Sequence, residues 1–315
     1  MNPSVALPRS VWHKLGRIIS TALNNLSEGL MIQLGRSTDQ EWSGTKVLIW
    51  GKTYPELSSK YYETVCTGGT REDGRFIRLY PIPFRYLSDT KLFAKYQWVY
   101  ARVKKSKEDP RPESYKVDPN SIIQNDYIPT DKKGWEKRAQ VVFRDGSHVF
   151  TCVEELIEEN KRSKISLGFV RPKEIIEVLI DKRPESEYND FLRKLKANEE
   201  RTRQNDLFGG LSVKELKSLE YVSHRFKIHF HCDNSDCKGH KMSILDWEAY
   251  ELVRREGIDK AKAKIESVLN IKEYDVGFFL GNFRLYQNTF AIGGIWYPKR
   301  CEQSLNYNLF ECAKS

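Results

Sequence analysis

Short hydrophobic runs of strand length dominate the chain between residues 42 and 182. Residues 46–50 are rich in β-branched and apolar side chains, as a central strand is. Residues 75–80 follow an Asp-Gly pair and end at a proline, which predicts a hairpin. Further strand-like runs lie at residues 64–67, 98–103, 140–143, 148–150 and 166–170. Many short strands separated by Gly, Pro and Asp predict a β-rich, barrel-like domain over residues 42–182, with one short helix at 153–160.

The segments on either side of this domain have helical or charged patterns. Residues 10–34 carry apolar side chains at helical spacing, which predicts an amphipathic helix within an N-terminal segment, residues 1–41. Residues 183–213 are dense in charge and poor in apolar positions, which predicts a charged helical linker. One interpretation of the linker is a scaffold function, in which a protein partner binds the charged helix at 187–205.

The last segment, residues 214–315, combines both kinds of periodicity. A strand-like run at 225–231 precedes two helical segments and a final hairpin that pairs 276–280 with 290–296. The predicted fold class is therefore α+β. It comprises an N-terminal helix, a small barrel-like domain, the charged linker and an α+β domain that carries a metal site.

The metal prediction rests on the spacing of Cys232, Cys237 and His240. Two thiolates and an imidazole in one polar loop can surround a tetrahedral Zn²⁺ ion, and a structural site needs a fourth ligand. Our order of candidates for that ligand is His231, then His229, then the distant Cys301. The histidines require a bend in their strand, because they alternate with Cys232 across it. Thiols without metal and an open catalytic site are the alternatives to a structural zinc.

Two carboxylates follow this loop, Asp246 and Glu248, at the start of a predicted helix. The helix dipole favours acidic side chains in the first turn, so a capping role explains both. In the alternative, the two carboxylates have a functional role at the metal site. Asp246 orients His240, or Asp246 or Glu248 acts as general base beside the metal. That alternative is a metal-dependent nuclease or hydrolase with catalytic candidates Glu248 and Asp246.

The charge balance admits a polyanionic partner. Fifty-two Lys and Arg against 43 Asp and Glu give a net charge of +9. Rings and cations interleave in the predicted hairpin, where the candidate nucleic-acid-binding residues are Arg75, Phe76, Arg78, Tyr80 and Arg85. Phe76, Arg78 and Tyr80 share one face of their strand, which suits base stacking combined with phosphate contacts. DNA and RNA both remain open as partners, and the alternative for this face is core packing.

Several function classes lack support in the sequence. It has no apolar run near 18 residues, no signal-peptide pattern, and six cysteines, too few for a disulfide scaffold at this length. A cytoplasmic protein is therefore expected. The glycine-rich motifs of dinucleotide oxidoreductases and nucleotide-hydrolysing motors are absent, as is the Gly-x-Ser-x-Gly motif of serine hydrolases.

Two sequence blocks are shared with known proteins. Residues 66–69 (CTGG) with 73–85 (DGRFIRLYPIPFR) form one block. Residues 231–240 (HC…C-GH) with 246–248 (DWE) form the other. Together they resemble an uncharacterised family of bacterial proteins over about residues 46–299. The resemblance implies no activity and no catalytic residues. A role in antiviral defence or mobile-element biology is an expectation from this resemblance alone.

Overall fold

The computed structural model describes residues 41–58, 60–206 and 217–300. The predicted N-terminal helix and Cys301 lie outside these residues. Within the described residues, each helix is too short or too polar to cross a membrane.

Five strands close into a barrel in the order β1-β3-β4-β6-β5-β1. They are β1 (Ser43–Lys52), β3 (Tyr62–Arg71), β4 (Phe76–Ile82), β5 (Gln97–Lys105) and β6 (Ser114–Val117). All neighbours are antiparallel except β4 and β6. A five-stranded barrel in which the third and fifth strands run parallel has the connectivity of the OB-fold.

Two further strands extend the barrel sheet, and three 3-10 turns connect its strands. β2 (Glu56–Ser58) pairs with β3, and β7 (Ile123–Tyr127) pairs with β5. The 3-10 turns are Phe84–Tyr86, Asp89–Lys91 and Pro119–Ser121. The barrel core follows from strand alternation, since every second residue points inward. Val47 and Ile49 of β1 meet Ile77 and Leu79 of β4 there, all of them almost fully buried.

The barrel strands end earlier than the sequence pattern predicts. Helix α1 (Lys132–Val142) follows β7, so the strand predicted at 140–143 is wrong. Asp131 caps α1 by accepting a hydrogen bond from the Gly134 N–H at 2.7 Å. The apolar residues of the last turn, including the buried Val142, pack into the core. The sequence at this end of the helix is therefore a short apolar run, like that of a strand.

Two smaller sheets form the second half. One has the order β14-β13-β9-β8, and the other β10-β11-β12. Their strands are β8 (Val149–Phe150), β9 (Leu167–Val170), β10 (Pro172–Lys182), β11 (His224–Cys232), β12 (His240–Ser243), β13 (Gly277–Asn282) and β14 (Phe290–Trp296). β9 pairs with β13 and β10 with β11, so residues 149–182 complete sheets with residues 224–296. The described residues from Trp42 onward belong to one compact unit.

Four helices accompany these sheets: α2 (Val153–Ser163), α3 (Glu185–Asp206), α4 (Trp247–Glu256) and α5 (Ile258–Val268). α3 confirms the charged helix predicted in the linker. One side of α3 packs on the barrel, where the Asn198 side chain donates to the Tyr62 carbonyl at 2.8 Å and Thr202 is fully buried.

Aromatic packing joins the barrel to the sheet of β8, β9, β13 and β14. The ring of Trp50 stacks on Phe279, with centroids 4.5 Å apart and planes 6° from parallel. Phe76 packs against both rings at 5.6 and 5.9 Å. Gly68 makes room for the indole, because a Cβ there would lie 2.2 Å from a ring carbon of Trp50. The outer face of β3 and β4 is therefore largely covered by the second half of the chain.

Candidate functional site

Four side chains converge where β11, β12 and α2 meet. Glu154, Cys232, Cys237 and His240 each offer one ligand atom, and these atoms lie within 4.8 Å of one another. The Cys237 Sγ is 3.3 Å from His240 Nε2, which is 3.2 Å from Glu154 Oε1. We call these four residues the Cys/His/Glu cluster, and it could hold a metal ion. The structure brings the three predicted ligands together and adds Glu154, which sequence spacing did not suggest.

Local turns in the connecting loop create this convergence. The Asn234 side chain accepts from the Asp236 N–H at 2.9 Å, and its carbonyl accepts from the Cys237 N–H at 3.1 Å. These bonds turn Cys237 back toward β11, where its Sγ accepts from the Cys232 N–H at 3.3 Å. Gly239, with φ of +88°, then redirects the chain into His240.

Burial determines the protonation of the cluster. Burial raises the pKa of the Cys232 thiol to about 12, so this thiol is protonated at neutral pH. Burial also lowers the pKa of His240, with the Glu154 carboxylate opposing that shift. The imidazole is therefore neutral and has a lone pair for a metal, whereas a metal at Cys232 must displace a proton.

The predicted fourth ligand, His231, is not in this cluster. Cys232 faces the buried side of β11 and is 2% exposed, whereas His229 and His231 are half-buried on the opposite side. The strand does not bend enough to reverse this alternation. Glu154 takes the fourth position instead, from the first turn of α2.

Asp246 and Glu248 lie in a different environment from the one the hydrolase alternative requires. Asp246 caps α4 by accepting from the Glu248 N–H at 2.9 Å. Lys95 bonds to Asp246 and, at 2.8 Å, to Glu248. Burial alone would lower the pKa of Lys95, but these two carboxylates raise it. Neither carboxylate belongs to the Cys/His/Glu cluster, so a role in orienting His240 is not supported.

Two of the predicted nucleic-acid contacts, Phe76 and Arg78, are buried. Phe76 is 3% exposed within the aromatic packing, and Arg78 is 4% exposed. The Arg78 guanidinium donates to the Ser166 Oγ at 3.2 Å and to the Ser166 carbonyl at 3.1 Å. Both side chains serve the contact between the two halves, which corrects their assignment to a ligand surface. The alternation was correct, but the shared face is buried at Phe76 and Arg78.

The other three candidates differ in their surroundings. Arg75 is exposed, and Tyr80 is 48% exposed with its hydroxyl 3.3 Å from Thr64 Oγ1. Arg85 is half-buried, and its Nε donates to both carboxylate oxygens of Glu63 at 2.9 Å. Arg75 and Tyr80 therefore keep a surface that a ligand could reach, whereas Arg85 is already paired.

The sequence analysis missed an aromatic and basic surface on the outside of β1 and β5. We call it the β1–β5 surface; its members are Trp42, Lys46, Trp98, Tyr100, Arg102 and Lys104. Trp98, Tyr100, Arg102 and Lys104 alternate along β5, and Lys46 is the β1 partner of Tyr100. The signal is present in the sequence as a period-two pattern of rings and cations over residues 98–104.

Rings and ammonium groups pair across this surface. The Lys46 Nζ lies 5.1 Å from the ring centroid of Trp98, and the Lys104 Nζ lies 4.8 Å from that of Trp42. Trp42 and Tyr100 are 41% and 39% exposed. Arg102 pairs with Asp118. In the part of the chain that the structure describes, Lys46 and Lys104 have no carboxylate within ion-pair distance, so their charges are available to an anion.

A glycine sets the position of the Tyr100 ring. A Cβ at Gly44 would lie 2.1 Å from the Tyr100 hydroxyl oxygen and 2.8 Å from the adjacent ring carbon. The phenol therefore lies close to the bare backbone of β1 at Gly44, and Tyr100 remains 39% exposed. A flat aromatic ring held against a strand is a suitable platform for a planar ligand.

Comparisons with known proteins give a family and several distant structural likenesses, among them the p204 HINb domain and a replication protein A heterotrimer. A family model described as a domain of unknown function, DUF8758, matches residues 43–144, and another, DUF8757, matches residues 149–313. Neither domain has an assigned activity, as the sequence resemblance implied. No curated protein matches the chain.

Both solved structures are similar only at low scores. The p204 HINb domain matches 84% of this chain and 100% of its own, with 9% identity and a TM-score of 0.27. A replication protein A heterotrimer bound to ssDNA matches 82% of this chain and 66% of its own, with 11% identity and a TM-score of 0.20. At these scores neither likeness supports a functional argument.

Proposed function

We propose that this chain, which belongs to the family of the domain of unknown function DUF8757, binds single-stranded nucleic acid along the β1–β5 surface. The observation that carries the proposal is one barrel face on which the exposed rings of Trp42 and Tyr100 lie beside Lys46 and Lys104, two ammonium groups with no carboxylate partner among the described residues. Bases stack on aromatic side chains while Lys and Arg follow the phosphates in proteins that bind single strands. DNA and RNA share this chemistry.

The nature of the contacts is the reason that we propose a single strand and not a duplex. The rings of Trp42 and Tyr100 offer flat surfaces, and a base can stack on them only when it is free of its duplex neighbours. Lys46 and Lys104 lie beside rings of the same surface, where they would meet the phosphates on either side of a stacked base. A surface of this kind binds with little sequence preference, since every base has a π face.

The choice of face follows from the packing between the two halves. OB-folds generally bind oligonucleotides on the face of their second and third strands, which are β3 and β4 here. That face is largely covered, because Trp50 and Phe76 pack against Phe279 and Arg78 bonds to Ser166. We therefore place the strand on β1 and β5, which β3 and β6 separate from the exposed Arg75 and Tyr80 at β4.

Zn²⁺ is the ion we propose for the Cys/His/Glu cluster. Thiolate, imidazole and carboxylate are the zinc ligands of proteins, and four protein ligands fill a tetrahedral site. Such a site has no open position for substrate, so its role is structural. It would fasten the loop between β11 and β12 to helix α2 through Glu154.

Fluorescence anisotropy with short labelled oligonucleotides tests the nucleic-acid proposal. We expect the protein to bind single-stranded DNA or RNA more tightly than duplex DNA. Trp42→Ala and Tyr100→Ala should each weaken binding by about 5- to 150-fold, since a stacked base contributes about 1–3 kcal/mol. The matched control is Tyr286→Ala, because Tyr286 is 70% exposed in the β13–β14 loop, outside this surface. Equal losses in all three variants, or none, would refute the assignment.

A further inference from the structure

Two histidines on the outer face of β11 converge on one small space. His229 and His231 are two residues apart in a strand, so their side chains share a face. Their ring centroids are 6.1 Å apart. A Cβ placed on Gly239 would lie 3.0 Å from His231 Nε2 and 3.1 Å from His229 Nε2. Both Nε2 atoms therefore border the space that the missing side chain leaves open.

The orientation of His229 is the one that metal-binding histidines have. Its Nδ1 lies 3.5 Å from Glu177 Oε1, on the paired strand β10. A histidine that binds a metal through one nitrogen nearly always donates from the other to a carboxylate or carbonyl, which fixes the tautomer. With the proton on Nδ1, the lone pair of His229 Nε2 is directed toward Gly239.

Gly239 serves this arrangement in two ways. Its φ of +88° lies in the left-handed region, where side chains other than glycine are strained. It also lets the loop backbone pass close to both imidazoles, where any Cβ would make a tight contact. The loop that closes the Cys/His/Glu cluster on one side of β11 thus also brings its backbone close to two imidazoles on the other side.

We propose that His229 and His231 bind a divalent transition-metal ion of the Zn²⁺, Ni²⁺ or Cu²⁺ type at a second site. Imidazole nitrogen suits these ions, and small rotations of the two rings would bring both Nε2 atoms to bonding distance. Water completes the coordination, since this face of the sheet is partly open to solvent. Two protein ligands bind more weakly than the four of the Cys/His/Glu cluster, so this ion exchanges while the first stays.

Isothermal titration calorimetry with Ni²⁺ tests the second site. The full chain is used without a polyhistidine tag, and it is first loaded with one equivalent of Zn²⁺. We expect one saturable Ni²⁺ event without release of zinc. His229→Ala and His231→Ala should each weaken it at least tenfold, and Glu177→Gln should weaken it by about 10- to 100-fold through the ring orientation. His224→Ala is the matched control, because it removes an imidazole from the same strand and should leave the event unchanged.

A variant of the Cys/His/Glu cluster distinguishes metal binding at the second site from metal binding at the cluster. Cys237→Ser should reduce zinc binding but keep the Ni²⁺ event, because the two sets of ligands lie on opposite sides of β11. Absence of the event in the wild-type chain would overturn the proposal. So would an event that survives both histidine substitutions. These substitutions lie on a partly exposed face, and circular dichroism checks that each variant is folded.

Discussion

The Arg78 guanidinium on barrel strand β4 donates to the carbonyl oxygen of Ser166, 3.1 Å away, next to strand β9 of the second half. The same guanidinium donates to the Asn282 carbonyl at 3.4 Å. Glu113 completes the connection by accepting from the Ser166 N–H at 2.9 Å. A buried charged group thus bonds across the junction of two family-matched regions that belong to one compact unit.

Replacement of this buried charge should loosen the whole unit. We expect Arg78→Met to lower the free energy of unfolding by about 2–4 kcal/mol, because several buried acceptors lose their donor. Arg75→Met, three residues away on the surface, should change it by less than about 0.5 kcal/mol. Urea denaturation followed by tryptophan fluorescence measures both. Equal stability of the two variants would contradict the structural role of Arg78.

Metal affinity at the Cys/His/Glu cluster should rise with pH. The pKa of Cys232, raised by burial to about 12, means that the ion competes with a proton at this thiol throughout the physiological range. The affinity for Zn²⁺ should therefore increase by about tenfold per pH unit for each proton released. His240 adds no further dependence above pH 7, since burial lowers its pKa. Competition with a chelator of known affinity between pH 6 and 8 measures the slope, and a flat profile would argue against thiolate ligation.

Glu154 should act as the fourth ligand. Glu154→Gln should weaken Zn²⁺ binding by about 10- to 100-fold, because the amide oxygen carries no charge to offset that of the ion. Glu158→Gln is the control: Glu158 lies on the same helix, exposed, and pairs only with Lys161 among the described residues. Zinc affinities and chelator-induced shifts in melting temperature should separate the two variants. If Glu154→Gln binds zinc as tightly as Glu158→Gln, another residue is the fourth ligand.

A single methyl group should displace the Tyr100 platform. In Gly44→Ala the new Cβ would lie 2.1 Å from the Tyr100 hydroxyl oxygen, so the phenol must rotate away from β1. The phenol is the free end of a side chain, so we expect stability to change by less than about 1 kcal/mol. Oligonucleotide affinity should fall several-fold. Thermal denaturation measures the stability and fluorescence anisotropy measures the oligonucleotide affinity, both on the same sample. Unchanged affinity would show that the ring position does not matter.

Local pattern was sufficient for most of the elements. Short apolar and β-branched runs predicted β1, β4, β5 and β11, and the Asp-Gly pair predicted the hairpin, where Gly74 has a φ of +90°. The three predicted ligands Cys232, Cys237 and His240 also lie together in the structure, because a short polar loop determines their separation. These features depend on neighbours in sequence, which is why sequence alone contains them.

Features that depend on tertiary contacts were not predictable in this way. Alternation placed Phe76 and Arg78 on one face of β4, but only the packing of Phe279 and Ser166 against that face determines that it is buried. Glu154 approaches the cluster from a helix 78 residues before Cys232, a separation that no local spacing reveals. The β1–β5 surface needs the barrel register, which places Lys46 opposite Tyr100.

The salt dependence of oligonucleotide binding tests the central claim most directly. Each phosphate that a lysine neutralises contributes about 0.7 to the slope of log affinity against log salt for a single strand. The wild-type chain should lose affinity steeply with salt, and the double variant Lys46→Gln with Lys104→Gln should have a slope smaller by about 1.4. Identical slopes for wild type and double variant, or an affinity that salt does not change, would contradict nucleic-acid binding on this surface.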